Sequence, residues 1–302
     1  MRIGVAATPN VAIPSLDWLK DSEHELVRVI TQPDRPSGRG QSVKSSSVSD
    51  WATKYAIEVV KPDSVEDLNN ALEGLDLLIT IGFGRILPKK SLEIPRLGCI
   101  NLHFSLLPKY RGAAPVQRAI EMGETQTGVT VFQLDEGMDT GPIYCSRTFT
   151  IPSTHRSFEL MTDLSVVGAL ALSQALTEIE NGVTPVAQSG QAWLAKKLTR
   201  EEAEIDWHNS CAVIVNKIRA FYPAPTAWTT FREQPLKISK AVLVDANYGL
   251  EAGQLLVADD MCLIGTLDGT ICLVSVIPSG KKEMSALDWS RGARFTGTEH
   301  CG

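Results

Sequence analysis

Leu75-Asp76-Leu77-Leu78-Ile79-Thr80-Ile81 is a nearly continuous apolar run, and its reading decides the fold. A strand with water on one side alternates apolar and polar residues. A run that is apolar at almost every position reads as a strand covered on both faces, as in a parallel sheet. Outward from it, Arg2–Ala7, 25–31, Glu58–Val60, Cys99–His103 and 128–134 read as further strands. Ile13–Lys20, 48–55 and Val65–Leu72 read as intervening helices. Strands alternating with helices imply an α/β domain: a Rossmann-like, mostly parallel sheet with helices on both faces. Ser157–Glu180 carries Leu160, Leu164, Val167, Leu170, Leu172, Ala175 and Ile179 at helical spacing and closes this domain.

Beyond Ala187 the character changes. The stretch 187–207 is polar and charged and reads as a linker with a short helix over 199–203. A helix over 211–220 ends in Phe221-Tyr222-Pro223-Ala224-Pro225. Short strands punctuated by Gly, Asp and Asn then follow at 227–231, 236–244, 253–258, 261–265 and 270–277, the pattern of a small OB-like β-barrel. The expected division is a catalytic domain over 1–187, a linker over 188–207 and a smaller C-terminal β-barrel domain over 208–302.

The composition, 43% hydrophobic and 21% charged, is that of a globular protein able to bury real cores. A net charge of −6 speaks against a surface that binds nucleic acid everywhere, though not against a local basic patch. The six cysteines form no C-x-x-C pair, so neither a structural zinc nor a disulfide scaffold is expected. The chain opens directly on a strand-like run with no leader pattern, and no uninterrupted apolar run approaches the roughly 18–20 residues of a bilayer span. A cytoplasmic protein with no membrane contact is expected. No heptads suggest assembly, so a monomer is the default.

The chemistry concentrates in Gly98-Cys99-Ile100-Asn101-Leu102-His103-Phe104-Ser105-Leu106-Leu107-Pro108-Lys109-Tyr110-Arg111-Gly112-Ala113-Ala114-Pro115. Asn101 and His103 stand two apart on a strand and share a face. They lie at its carboxyl end, where open parallel sheets bind ligands. Asp139, in the loop Asp135-Glu136-Gly137-Met138-Asp139-Thr140-Gly141, follows another strand, so two carboxyl strand ends are expected to converge on one crevice. Acyl transfer from an amide-like donor needs a proton shuttle and a stabilised oxyanion. His103 can shuttle protons near neutral pH, an effect worth about 10²–10⁴ in rate. Asn101 offers an amide N–H to developing negative charge, worth on the order of 3 kcal/mol. Asp139 can orient the imidazole and favour its charged form. By themselves, a structural histidine and a turn aspartate would leave the same letters. No Gly-x-Ser-x-Gly elbow points to a covalent serine, and no Gly-x-Gly-x-x-G follows the first strand as a dehydrogenase would need.

The string resembles the formyltransferases that use 10-formyltetrahydrofolate, a family marked by Asn-x-His, Ser-Leu-Leu-Pro and a distant Asp. The resemblance implies that Asn101, His103 and Asp139 are catalytic and that Ser105, Leu106, Leu107 and Pro108 form the loop against which the folate lies. It implies no metal, and direct attack of a neutral amine on the formyl carbon. Thr31-Gln32-Pro33-Asp34-Arg35-Pro36-Ser37-Gly38-Arg39-Gly40 is similar to a tRNA-binding insertion within the family. It presents two guanidinium groups suited to phosphate or base contact. Without the resemblance it reads as a solvated turn. Lys197-Leu198-Thr199-Arg200-Glu201-Glu202-Ala203-Glu204-Ile205-Asp206-Trp207 and the strand-rich end resemble the family's linker and tRNA-binding barrel. The implied acceptor is the methionine of initiator methionyl-tRNA, held through Arg35, Arg39, Lys197 and Arg200, with Lys196, Lys217 and Arg219 as further candidates. Residues 207–302 hold nine Lys or Arg against nine Asp or Glu, so contact would use one face. A formyltransferase acting on a nucleotide or sugar nucleotide, a folate-dependent hydrolase and a non-catalytic RNA-binding protein are the alternatives. Two positions depart from the family: Ala7, where Gly is usual before Thr8-Pro9, and Phe104, where Gly or Ala is common.

Overall fold

The computed structural model describes residues 1–37, 42–297 and 299–302, with 35–37 and 42–43 described by their backbone alone. The first half contains strands β1 (Arg2–Ala7), β2 (Glu25–Ile30), β3 (Arg35–Ser37), β4 (Ser42–Lys44), β5 (Glu58–Val60), β6 (Leu77–Ile81), β7 (Cys99–His103), β8 (Arg111–Gly112), β9 (Gln126–Gln133) and β10 (Ile143–Thr150). Its helices are α1 (Ile13–Lys20), α2 (Ser47–Lys54), α3 (Val65–Leu72), α4 (Lys89–Leu92), α5 (Pro115–Glu121) and α6 (Ser157–Glu180). The remainder contains β11 (Leu194–Ala195), α7 (Cys211–Phe221), β12 (Trp228–Phe231), β13 (Gln234–Leu243), β14 (Leu255–Ala258), β15 (Met261–Gly265), β16 (Thr270–Pro278), β17 (Met284–Ser285) and α8 (Ala286–Ala293).

Packing gathers these elements into two compact units, each drawn from separate stretches of chain. One comprises Met1–Gly112, Thr127–Thr150 and Met161–Leu194; the other comprises Ala113–Gln126, Ile151–Leu160 and Ala195–Gly302.

The first unit is built on a seven-stranded sheet in the order β10-β9-β7-β6-β1-β2-β5. All five residues of β6 are buried, as a strand in the middle of a covered parallel sheet requires. β1 pairs in parallel with β2 and β6, β2 with β5, and β6 with β7. On one face, Leu68, Ala71 and Leu72 of α3 pack with Ala6, Ile30, Leu78 and Cys99 of the sheet. A capping box between Ser64 and Asp67 starts that helix by satisfying backbone N–H groups that have no helical partner. α6 lies against β7: a Cβ on Gly168 would meet the Leu102 side chain at 2.6 Å, so the small residue sets how closely helix and strand approach. Leu170 of α6, expected among its apolar contacts, is instead exposed. α6 is the one helix among the described residues long and apolar enough to cross a bilayer, a length the uninterrupted-run test missed because polar residues break the stretch. Half of its most apolar window is buried in the fold, as in a core helix.

One expectation fails in the sheet. β9 runs antiparallel to β7, pairing Ile100 with Gln133 and His103 with Thr130. The carboxyl end of β9 therefore lies beside the amino end of β7, and the two carboxyl ends do not converge.

The second unit holds an antiparallel sheet in the order β12-β13-β16-β15-β14, with β17 on β16. Its two outer strands are joined through the last residues of the chain. Cys301 bridges Phe231 at the end of β12, and His300 bridges Gln254 beside β14. Leu255 N donates to Glu299 O over 2.9 Å, and Gly302 N to Thr230 O over 3.1 Å. The sheet thus curls toward closure, with a strand-like tail as its seam. α5 and α7 pack together in this unit. The helix expected over 199–203 is a turn, closed by reciprocal bonds between Thr199 and Glu202. All six cysteines are free thiols.

Candidate active site

β7 carries the site because register places a polar neighbour beside it. Thr80 on β6 is the Cα partner of Asn101. Its hydroxyl donates to Asn101 Oδ1 over 2.7 Å. The acceptor end of the amide is thereby engaged, and Asn101 Nδ2 is left as the donor end. Sequence reading overlooked Thr80, although a lone hydroxyl in the run 77–81 was the available signal.

His103 shares that face of β7 and its side chain is almost wholly buried. Its Nε2 lies 2.9 Å from the Tyr110 carbonyl oxygen. A carbonyl only accepts, so Nε2 carries the hydrogen in the neutral ring and Nδ1 is the basic atom. Nδ1 is 3.7 Å from Asp139 Oδ2. Burial pushes the His103 pKa below its ordinary value; the Asp139 charge and the Tyr110 carbonyl push it back up by less. The ring is therefore neutral near pH 7, with an open lone pair facing a carboxylate. The Phe132 ring stands nearly perpendicular to the His103 ring, with 6.4 Å between their centres.

Because β9 is antiparallel, Asp139 reaches His103 only by a loop that doubles back along the sheet. Asp139 takes a left-handed φ of 53°, a conformation that Asp tolerates better than most residues. Its Oδ2 accepts a hydrogen bond from Gly112 N over 2.7 Å. Gly141 is required in this loop, since any Cβ there would collide with the Gln133 carbonyl oxygen.

The segment 105–108 is fastened to the strand beside it. The buried Thr130 hydroxyl donates to Ser105 O over 2.7 Å, and Leu107 N donates to that hydroxyl over 3.2 Å. The Ser105 hydroxyl is turned inward and donates to Lys109 O over 2.6 Å. Ser105 and Leu107 are buried, leaving Leu106 and Pro108 as the half-buried surface of the loop. The structure therefore unites Asn101, His103 and Asp139 and sets 105–108 beside them, with Ser105 occupied internally.

Of the cationic candidates, Arg39 lies outside the described residues, and Arg35 is described by its backbone, paired with Lys44 in the β3–β4 hairpin. In the second unit, Lys196, Lys197 and Arg200 are exposed, and the Arg200 guanidinium sits 5.6 Å from the Trp228 ring centre. Lys217 donates to Glu204 O over 2.9 Å. Arg219 is spent internally, donating to His155 O, Pro152 O and Asn216 Oδ1. Arg118, which sequence reading overlooked, donates to Lys196 O over 3.1 Å and to the Glu202 carboxylate over 3.0 Å. The one group of histidine and carboxylates spaced to hold an ion among the described residues, Glu23, His24 and Glu180, includes none of these site residues.

The arrangement is a buried neutral imidazole whose open Nδ1 faces a carboxylate, on the same strand face as an oriented amide donor. Residues 1–176 match the model of the Formyl transferase family, and 197–294 match that of the Formyl transferase C-terminal domain. The chain belongs to the formyl transferase family. Within it, the chain falls among the methionyl-tRNA formyltransferases: it is 40% identical to that enzyme of Salinispora tropica, with 99% of each chain covered, and 40% identical to that of Streptomyces coelicolor, with 100% of each covered. Its fold is similar to HypX from Aquifex aeolicus, solved in complex with tetrahydrofolic acid, with a TM-score of 0.70 at 19% identity over 96% of this chain and 47% of that one.

Proposed function

We propose that the protein transfers the formyl group of 10-formyltetrahydrofolate to the α-amino group of methionine on initiator methionyl-tRNA, in the cytoplasm and as a monomer. The observation that carries this reading is the open Nδ1 of a buried, neutral His103, 3.7 Å from Asp139 Oδ2. The names of the full-length relatives support the acceptor. The half-buried Leu106 and Pro108 beside the triad suit the apolar face of a pteridine-bearing co-substrate.

The co-substrate supplies an activated formyl group. As the amine nitrogen bonds to the formyl carbon, Asn101 Nδ2 donates to the oxygen that gains negative charge. His103 Nδ1 takes the proton released by the attacking nitrogen, and Asp139 stabilises the resulting imidazolium. His103 then returns that proton to the departing folate nitrogen as its bond to the formyl carbon breaks. Proton and charge balance, and no step requires a metal. Residues 1–187 serve as the catalytic domain, 188–207 as the linker and 208–302 as the tRNA-binding domain. Arg35, Arg39, Lys197 and Arg200 supply cationic contacts to tRNA.

The test is formyl transfer from 10-formyltetrahydrofolate to charged initiator tRNA, with free methionine and uncharged tRNA as controls. Formylation of the charged tRNA alone is expected. Folate binding without that transfer would move the acceptor to a small amine such as a sugar nucleotide.

A further inference from the structure

Asp139 is held at two points, and one residue outside the motif segment supplies the second. The Gln188 side-chain amide donates through Nε2 to Asp139 O and to Gly141 O, each over 2.9 Å. Its Oε1 accepts from Arg111 Nε over 3.1 Å and from Arg111 Nη2 over 2.6 Å. The neighbour of that arginine, Gly112, donates its N–H to the Asp139 carboxylate. The backbone of Asp139 and its side chain are thus both referred to the dipeptide Arg111-Gly112, the first through Gln188 and the second directly. Carbonyls only accept and a guanidinium only donates, so the chemistry of the partners fixes the orientation of the amide. Both donor positions and the acceptor oxygen of Gln188 are engaged, which neither a carboxylate nor an apolar side chain can reproduce.

We propose that Gln188 is the positioning residue for Asp139. It holds the residues on either side of Thr140 by their carbonyls and so keeps the Asp139 carboxylate facing His103 Nδ1. The inference rests on the reading of Asp139 as part of the catalytic site. A displacement of about 1 Å in such a group costs up to about a hundredfold in rate, and supporting hydrogen bonds are what prevent it.

The test is a double-mutant cycle in the full-length enzyme, assayed by formyl transfer to charged initiator tRNA. Gln188→Glu keeps the shape and the bond to Arg111 but sets an acceptor against two carbonyls. Gln188→Met fills similar volume with neither donor nor carboxylate, which separates lost geometry from added charge. Both are expected to lower kcat by about ten- to a hundredfold, with KM for the folate within about twofold of wild type. In an Asp139→Asn background the same changes are expected to add less than about twofold, because the group they position is already lost. Thermal melting accompanies each variant, and a residue that merely stabilised the fold would slow both backgrounds equally. Wild-type kcat in both Gln188 variants, or an undiminished effect in the Asp139→Asn background, overturns the inference. Wild-type turnover in Asp139→Asn alone would instead remove Asp139 from the mechanism, and the inference with it.

Discussion

The Thr80 hydroxyl donates to Asn101 Oδ1 over 2.7 Å, and that bond decides which end of the Asn101 amide is free. Thr80→Val removes the donor with little change of shape and allows the amide to rotate. The expected result is a kcat about 2- to 12-fold lower, the equivalent of one ordinary hydrogen bond. Asn101→Ala should cost far more, about 10²–10³-fold, because the oxyanion donor itself is gone. Single-turnover rates check both; equal effects from the two variants would dismiss Thr80 as an orienting group.

The pH profile has a definite sign. Burial lowers the His103 pKa, and the neutral ring is the working form. Activity should rise with pH through an acid limb below the ordinary imidazole value of about 6.5, once the titration of the acceptor amine is divided out. Asp139→Asn removes a charge that raises the His103 pKa, so the limb should move lower still. The same shift links to stability. The unfolded chain protonates this ring first, so its contribution is present above about pH 6.5 and is lost as pH falls toward the folded pKa. A limb above 6.5 in the wild type would contradict the assignment of His103 as a neutral base.

Gly141→Ala tests the loop that doubles back. The new Cβ would overlap the Gln133 carbonyl oxygen, so the backbone must move. Overpacking of this kind costs about 1–3 kcal/mol. Turnover should fall by a larger factor than thermal stability implies, since Asp139 is two residues away. Loss of Tm with full turnover in the surviving folded protein would show that Asp139 tolerates displacement.

Arg118 holds a basic segment by its backbone. It donates to Lys196 O and pairs with Glu202 and Glu121. Arg118→Ala should let the stretch 196–203 open, exposing the bonds after Lys196, Lys197 and Arg200 to trypsin. Cleavage there is expected to be at least several-fold faster, while folate binding is unaffected. An unchanged digestion rate would show that the turn at Thr199 and Glu202 suffices alone.

Glu299 makes the second unit acid-sensitive. Burial pushes its carboxyl pKa up, but hydrogen bonds from Thr296 N, Gly297 N and the Thr296 hydroxyl outweigh this and hold it at about 2. Its contribution is therefore present above the unfolded value of about 4.3 and is lost as pH falls toward 2. Glu299→Gln should cost about 1–3 kcal/mol at neutral pH and flatten the dependence over that acid range. Unfolding titrations at pH 7, 4 and 3 decide it.

Most of the fold was legible because burial leaves a direct mark on residue type. The apolar run that became β6, and the helical spacing of α3, are local patterns. The direction of β9 was not legible, since an apolar strand has the same letters whichever way it runs. β10, with Cys145 its one buried residue and half-buried and exposed positions alternating after it, carried too weak a pattern beside a glycine-rich loop. α5 begins at Pro115, inside a segment read for its chemistry, and α8 follows a Ser285/Asp288 cap that was present but unread. In the site, Asn101, His103 and Asp139 stood out by type and motif. Thr80 and Gln188 did not, because their roles come from sheet register and from a contact 49 residues away.

The tail that bridges β12 and the approach to β14 has a consequence beyond acid sensitivity. Residues 299–302 meet Thr230 O and Leu255 N and bridge Phe231 and Gln254, so the ends of the two outer strands at this seam offer no template to another polypeptide. Released from that seam, both would present free main-chain rows, the commonest starting point for strand-to-strand aggregation. The last four residues therefore act as a guard on solubility, and a tag fused at Gly302 would need a spacer long enough not to pull them away.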